Sequence, residues 1–201
     1  MSEAFPATPT DAGAVGFVLS SLPRQRAPVL WVQDWLSQKE AGRPYLPGMT
    51  TRQVIQVDLS RPVDVLLAME EGLRCTALAA VVGEIWGDPP VLDFTATKRL
   101  ALRAEHHQVP CWLIRRAASP DLSAARNRWR VTSLPSLPHP EDARAPGAPR
   151  WQAELFRARH RPPGTWIATY DRAADRVDLS AAIRDGAVAE SDGAQWRRAA
   201  R

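Results

Sequence analysis

The stretch "ALAAVVGEIWGD", residues 77–88, decides the fold. Ala79 to Val82 and Ile85 are small or β-branched, they surround Gly83-Glu84, and Gly87-Asp88-Pro89-Pro90 stops the run. A short, continuously apolar segment bounded by turn residues fits a strand buried on both faces of a parallel sheet. In a nucleotide-hydrolysing α/β protein such a strand ends in an aspartate that holds magnesium. Here the corresponding residue is Gly83, which has no side chain, and by strand alternation Glu84 faces the opposite way.

Working outward, the neighbouring segments repeat one pattern. "DAGAVGFVLSSL" (11–22) reads as a helix, with Asp11 as its N-cap and Pro23 closing it. "APVLWVQDW" (27–35) and "RQVIQVDLSRP" (52–62) read as strands, and Ser60 then caps a helix with proline in its first turn, "PVDVLLAMEEGLRC". On that helix Val63, Leu66, Leu67 and Leu73 share a face, leaving Asp64, Glu70, Glu71 and Arg74 to solvent. After the opening strand come a helix, "DFTATKRLALRAEHHQ" (93–108), and a fourth strand, "VPCWLIRR" (109–116). Strands alternating with helices over short connections predict an α/β fold with a mostly parallel sheet flanked by helices.

Past residue 116 the pattern changes. "RNRWRVTSL" (126–134) alternates Arg128 and Arg130 with Trp129 and Val131. "RWQAELFRARHR" (150–161) puts Arg157, Arg159 and Arg161 on one side, and "GTWIATYD" (164–171) follows a Pro-Pro-Gly turn. Period-2 alternation predicts C-terminal antiparallel strands that extend the sheet at one edge. The proline-rich "PSLPHPEDARAPGAP" (135–149) between them reads as an exposed loop. Residues 1–10 read as a flexible N-terminus, 11–171 as one core domain, and 172–201 as a loosely ordered tail.

The 201 residues, 45% of them hydrophobic, suffice for a single domain with a real core. No apolar run approaches the roughly 18 residues of a membrane span. "MSEAFPATPTDAG" lacks the basic-then-apolar order of a secretory signal, so a cytoplasmic protein is expected. Cys75 and Cys111 are expected as buried small hydrophobes rather than a disulfide. The net charge of +4 is unevenly placed: residues 98–161 hold thirteen Lys or Arg against five acids, and the rest of the chain is net acidic.

Catalytic patterns are missing. A phosphate-binding loop needs clustered glycines, whose backbone N–H groups cradle phosphate, followed by a Lys-Ser/Thr pair. Before the first helix stands "TPTDAGAVG", with Gly13 and Gly16 but no lysine. That reads as a helix start built from small residues. Asp34, at the end of the first strand, sits where a carboxylate could activate water, but a helix cap suits it better. No nucleophile elbow and no metal-ligand spacing occur in the chain. The sequence therefore predicts a protein that is not an enzyme, with neither cofactor nor metal.

Arginine is what remains. Arg115 and Arg116 at the exit of the fourth strand, with Arg128, Arg130, Arg157 and Arg159 in the later strands, are expected to form one positive interaction surface. An acidic protein segment is the preferred partner, and a weak DNA contact is the other use. Trp129, Trp151 and Trp166 fall in the same strands and read as core packing beneath them.

At "VLLAMEEGLRCTALAAVVGEI", "LDFTATKRLALRAE", "RWRV" and "GAPRWQAELFRARHRPPGTW", the sequence resembles the ImuA family, bacterial proteins related to RecA and to the division inhibitor SulA. The likeness spans roughly residues 28–170. It implies a RecA-like core with a degenerate nucleotide site and an accessory role in DNA repair, in the mutagenesis of the SOS response to DNA damage. There the partners implied are an ImuB-type polymerase homologue, RecA, and indirectly an error-prone DnaE-type polymerase for translesion synthesis. The alternative it leaves open is a SulA-like inhibitor that binds FtsZ. RecA carries an N-terminal helix-and-strand arm that packs on its neighbour; none is expected here, so a RecA-type filament is not implied.

Overall fold

The computed structural model describes residues 1–23, 27–45, 53–142 and 144–181. Nine strands form one sheet: β1 (Ser2–Pro6), β2 (Val29–Asp34), β3 (Val54–Leu59), β4 (Ala80–Trp86), β5 (Cys111–Arg116), β6 (Asn127–Leu134), β7 (Arg150–Ala158), β8 (Gly164–Asp171) and β9 (Arg176–Ala181). Their order is β3-β2-β4-β5-β1-β6-β7-β8-β9. The first six in that order run parallel, and β7, β8 and β9 are added antiparallel. The helices are α1 (Gly13–Ser20), α2 (Trp35–Ala41), α3 (Pro62–Gly72) and α4 (Phe94–His107). The molecule is thus α/β, with a mostly parallel sheet, flanking helices and a C-terminal antiparallel extension. Among the described residues no helix is long and apolar enough to cross a membrane.

The opening segment behaves as its composition requires. Ala80, Val82 and Glu84 point to the α1 side, whereas Val81, Gly83 and Ile85 point to the side of α3 and α4. All six are buried. A Cβ on Gly83 would run into Met69 of α3 and Leu113 of β5, so glycine here makes room for a methionine. On the other face Phe17 of α1 packs against Trp112, Trp129 and Trp151, with ring centroids 6.2, 5.2 and 6.4 Å away. Aromatic pairs of this geometry add about 0.5–1.5 kcal/mol each beyond area burial. Gly16 exists for the same reason as Gly83: a Cβ there would lie 2.7 Å from the Trp151 ring.

Four expectations need correction. Residues 1–10 are not a flexible terminus, because Ser2–Pro6 is an inner strand between β5 and β6, with Glu3, Ala4 and Phe5 buried. The loose tail expected from 172 instead begins with a hairpin partner, β9 on β8; residues 182–201 lie outside the described residues. Glu70 is not on the wet face of α3. It is buried and receives Arg99 at 2.9 Å and Arg103 at 3.2 Å, tying α3 to α4, while Leu67 is exposed. Cys75 is exposed; Cys111 is buried, and burial pushes its thiol up to about 12.

Among the described helices two are capped by aspartate, one of them Asp34 as expected. Asp93 accepts from Ala96 N at 2.7 Å, and Asp34 accepts from Ser37 N at 2.8 Å. Each such cap is worth about 1 kcal/mol. In α3 the N-cap is Arg61 rather than Ser60. In α1 it is Ala12, and Asp11 stands one residue earlier.

Candidate functional site

In open α/β sheets ligands bind beyond the carboxyl ends of the strands, where neighbouring strands send their chains to opposite faces. Here β1 leads into α1 on one face. Its neighbour β5 leads into residues 117–126 on the other, where Ala124 N donates to Thr97 Oγ1 of α4. The crevice between the ends of β1, β5 and β4 is therefore the first place to look.

Arg116, the last residue of β5, fills it. Its Nε donates to Glu84 Oε1, and its Nη1 donates to the carbonyl oxygens of Pro9 at 2.8 Å and Asp11 at 3.2 Å. Arg116 is 2% exposed and Glu84 0%. Burial drives the Glu84 carboxyl above its ordinary value, and Arg116 opposes the rise. The β1–α1 loop is fixed from its other end too. Asp11 Oδ1 accepts from Gly13 N at 2.7 Å and from Ser133 Oγ at 2.5 Å, and Oδ2 accepts from Ser133 N at 3.0 Å. Burial alone would raise the Asp11 carboxyl; the hydrogen bonds from Ser133 and Gly13, with the charge of Arg116 nearby, outweigh it and hold the group low.

The polarity of this loop is the chemical point. An anion-binding loop turns backbone N–H groups inward. This loop turns the carbonyls of Pro9 and Asp11 towards a guanidinium. The crevice offers acceptors around a cation that is already neutralised. Asp34, buried at the adjacent end of β2, is consumed as well: besides capping α2 it accepts from Trp86 N at 3.2 Å. Among the described residues no group of three His, Cys, Asp or Glu is placed to hold a metal ion.

The six arginines expected to share one surface do not. Arg128 is buried, its Nε 2.6 Å from Glu3 Oε2, and Glu3 Oε1 accepts from Ser123 Oγ at 2.6 Å. Arg115 is buried and bonds Asp88 at 2.6 Å. Arg130 is exposed but paired with Glu154 at 2.5 Å, and its guanidinium lies over Phe156. Arg157 and Arg159 alone stay exposed with no ion pair among the described residues. The correction has a simple cause. Glu3 lies on a strand too short to show in the sequence, and alternation by itself cannot tell a wet arginine face from a row of internal ion pairs. The tryptophans do pack as expected: Trp129 and Trp151 are buried beneath α1, and Trp166 lies 6.0 Å from Trp129.

No protein-family model and no curated protein matches the chain.

Proposed function

We propose that this chain is a RecA-like scaffold whose nucleotide site is closed by its own side chains. It acts as a non-catalytic adaptor in damage-induced mutagenic translesion synthesis, binding an ImuB-type polymerase homologue, RecA, or both. The observation that carries the reading is Arg116. Seated against Glu84 and two carbonyls of the β1–α1 loop, it occupies the position where phosphate would need donors. Admitting a phosphate there means separating a buried ion pair, at a cost of about 3–5 kcal/mol, or about a hundred- to several thousand-fold in affinity.

With that crevice closed, the sheet edge is the remaining asset. Among the described residues β3 pairs only with β2, and Ile55, its second residue, is 48% exposed. β3 carries one charged residue, Asp58, paired with Arg43, whereas the opposite edge, β9, carries two, Arg176 and Asp178, paired with each other at 3.0 Å. Charge on an edge discourages strand addition, so β3 is the better acceptor. Backbone hydrogen bonds to an added strand supply affinity without any nucleotide chemistry.

Deleting the gene tests the role. Ultraviolet-induced mutation should disappear while undamaged growth stays normal. Purified protein should retain the ImuB-type partner or RecA in a pull-down, and Ile55→Glu should weaken that retention without lowering the melting temperature. Normal ultraviolet mutagenesis in the deletion strain, or indifference to both partners, overturns the proposal.

A further inference from the structure

Two of the residues left over from the arginine set lead to a groove on the face opposite the crevice. It lies between α4, the segment 123–126 and the end of β7, and encloses about 400 Å³. Its apolar part comes from Phe94, 42% exposed, and Leu102, 50% exposed, with Ala101, Ala124 and Ala158 as a floor of small residues. Phe94, Lys98 and Leu102 recur every four residues, so they form one stripe along α4, about 12 Å from end to end. Solvent is an unusual neighbour for such a stripe on a helix whose other face is fully packed.

The rim is cationic. Arg157, Arg159 and Lys98 line it, all exposed and with no carboxylate partner among the described residues. Glu105, on the same helix, is already engaged: Arg126 holds it with two bonds of 2.5 and 2.9 Å. That hydrogen bond keeps the Glu105 carboxyl below its ordinary range, against a small desolvation, and the charge of Arg159 adds to the effect. Three cations therefore face solvent around an apolar trough.

We infer that this groove binds an acidic peptide segment of a partner protein, with two apolar side chains set into the trough of Phe94, Ala101, Leu102 and Ala158 and flanking Asp or Glu meeting Lys98, Arg157 and Arg159. Charge complementarity selects the acid, and the small-residue floor selects the anchors. A single nucleic-acid strand fits less well. It wants a continuous basic track and several aromatic faces for base stacking, and the groove supplies one phenyl ring and an alanine floor. This inference rests on the groove alone and not on the damage-tolerance role.

The test is a selection from displayed random peptides of about twelve residues on the full-length protein, followed by titration of the enriched peptides in fluorescently labelled form. Enriched peptides should carry two apolar residues among Asp and Glu. Their binding should weaken about tenfold or more in Arg157→Ala/Arg159→Ala and in Leu102→Asp, and should fall as salt is raised. All three positions are exposed, so the variants should melt with the parent, and a melting scan checks this. Enriched peptides that ignore these substitutions, or no enrichment over a column lacking the protein, overturn the inference. So does a thymidine oligonucleotide of about twenty nucleotides that binds more tightly than any peptide and loses affinity in the same variants.

Discussion

Replacing Arg116 by methionine removes the charge from the crevice and leaves most of the side-chain volume in place. Glu84 is then a carboxylate at 0% exposure with no cation beside it. Breaking a buried pair from one side costs about 3–5 kcal/mol. The carbonyls of Pro9 and Asp11 lose their donor in the same step. For a chain of this size 1 kcal/mol moves the midpoint by about 2–4 °C, so Arg116→Met should melt about 6–20 °C below the parent. Removing both charges, in Arg116→Met/Glu84→Met, takes away the orphan and should recover at least half of that loss. A double-mutant cycle read by urea denaturation, with tryptophan fluorescence as the signal, measures the coupling. The pH dependence gives a second signature. In the single variant the folded state favours the protonated Glu84. Stability should therefore fall as pH climbs from 4.5, the ordinary value, through the raised folded pKa, and be flat above it. A loss under about 1 kcal/mol in the single variant, or a double variant that costs the sum of the two singles, refutes the idea that this pair closes the crevice.

Two further outcomes are expected. Gly83→Asp, which places an acid on the α3 and α4 side of the sheet, away from the crevice, should gain no ATPase and should lose about 3 kcal/mol or more, since the new side chain meets Met69 and Leu113 in a dry core; a variant as stable as the parent contradicts this packing. Ser133→Ala should lower the melting temperature at neutral pH, and the deficit should shrink as pH falls from 3.8, the ordinary Asp11 value, through its lowered folded value, because the bond lost, from the Ser133 hydroxyl, favours the ionised Asp11; a deficit independent of pH contradicts it.

Much of the fold could be read from residue order. β2 to β5 and α3 and α4 show themselves by apolar runs and by proline at a helix start, and these signals are local. β1 hides because it is short: "SEAFP" offers only Ala4 and Phe5 as core residues and carries Glu3, which reads as a solvent residue until Arg128 and Ser123 are found around it. The same blindness spread to the candidate surface. Arg116 and Glu84 lie 32 residues apart, and Arg128 and Glu3 lie 125 apart, so neither pair leaves a spacing to recognise. Helix-face assignment failed at Glu70 for a related reason: its cations sit on α4, not on its own helix. What the residues did disclose is that Asp34 caps α2, which follows from chemistry confined to adjoining residues.

The most direct measurement is a titration of the purified protein with a fluorescent ATP analogue in the presence of magnesium, run in parallel on Arg116→Met. With the crevice filled by Arg116 and lined by carbonyl acceptors, the parent should show no saturable binding in the micromolar range. Emptying the crevice should not create binding, since the β1–α1 loop still lacks inward N–H donors. Saturable micromolar binding by the parent contradicts a closed site, and with it the account of this chain as a scaffold that works through partners alone.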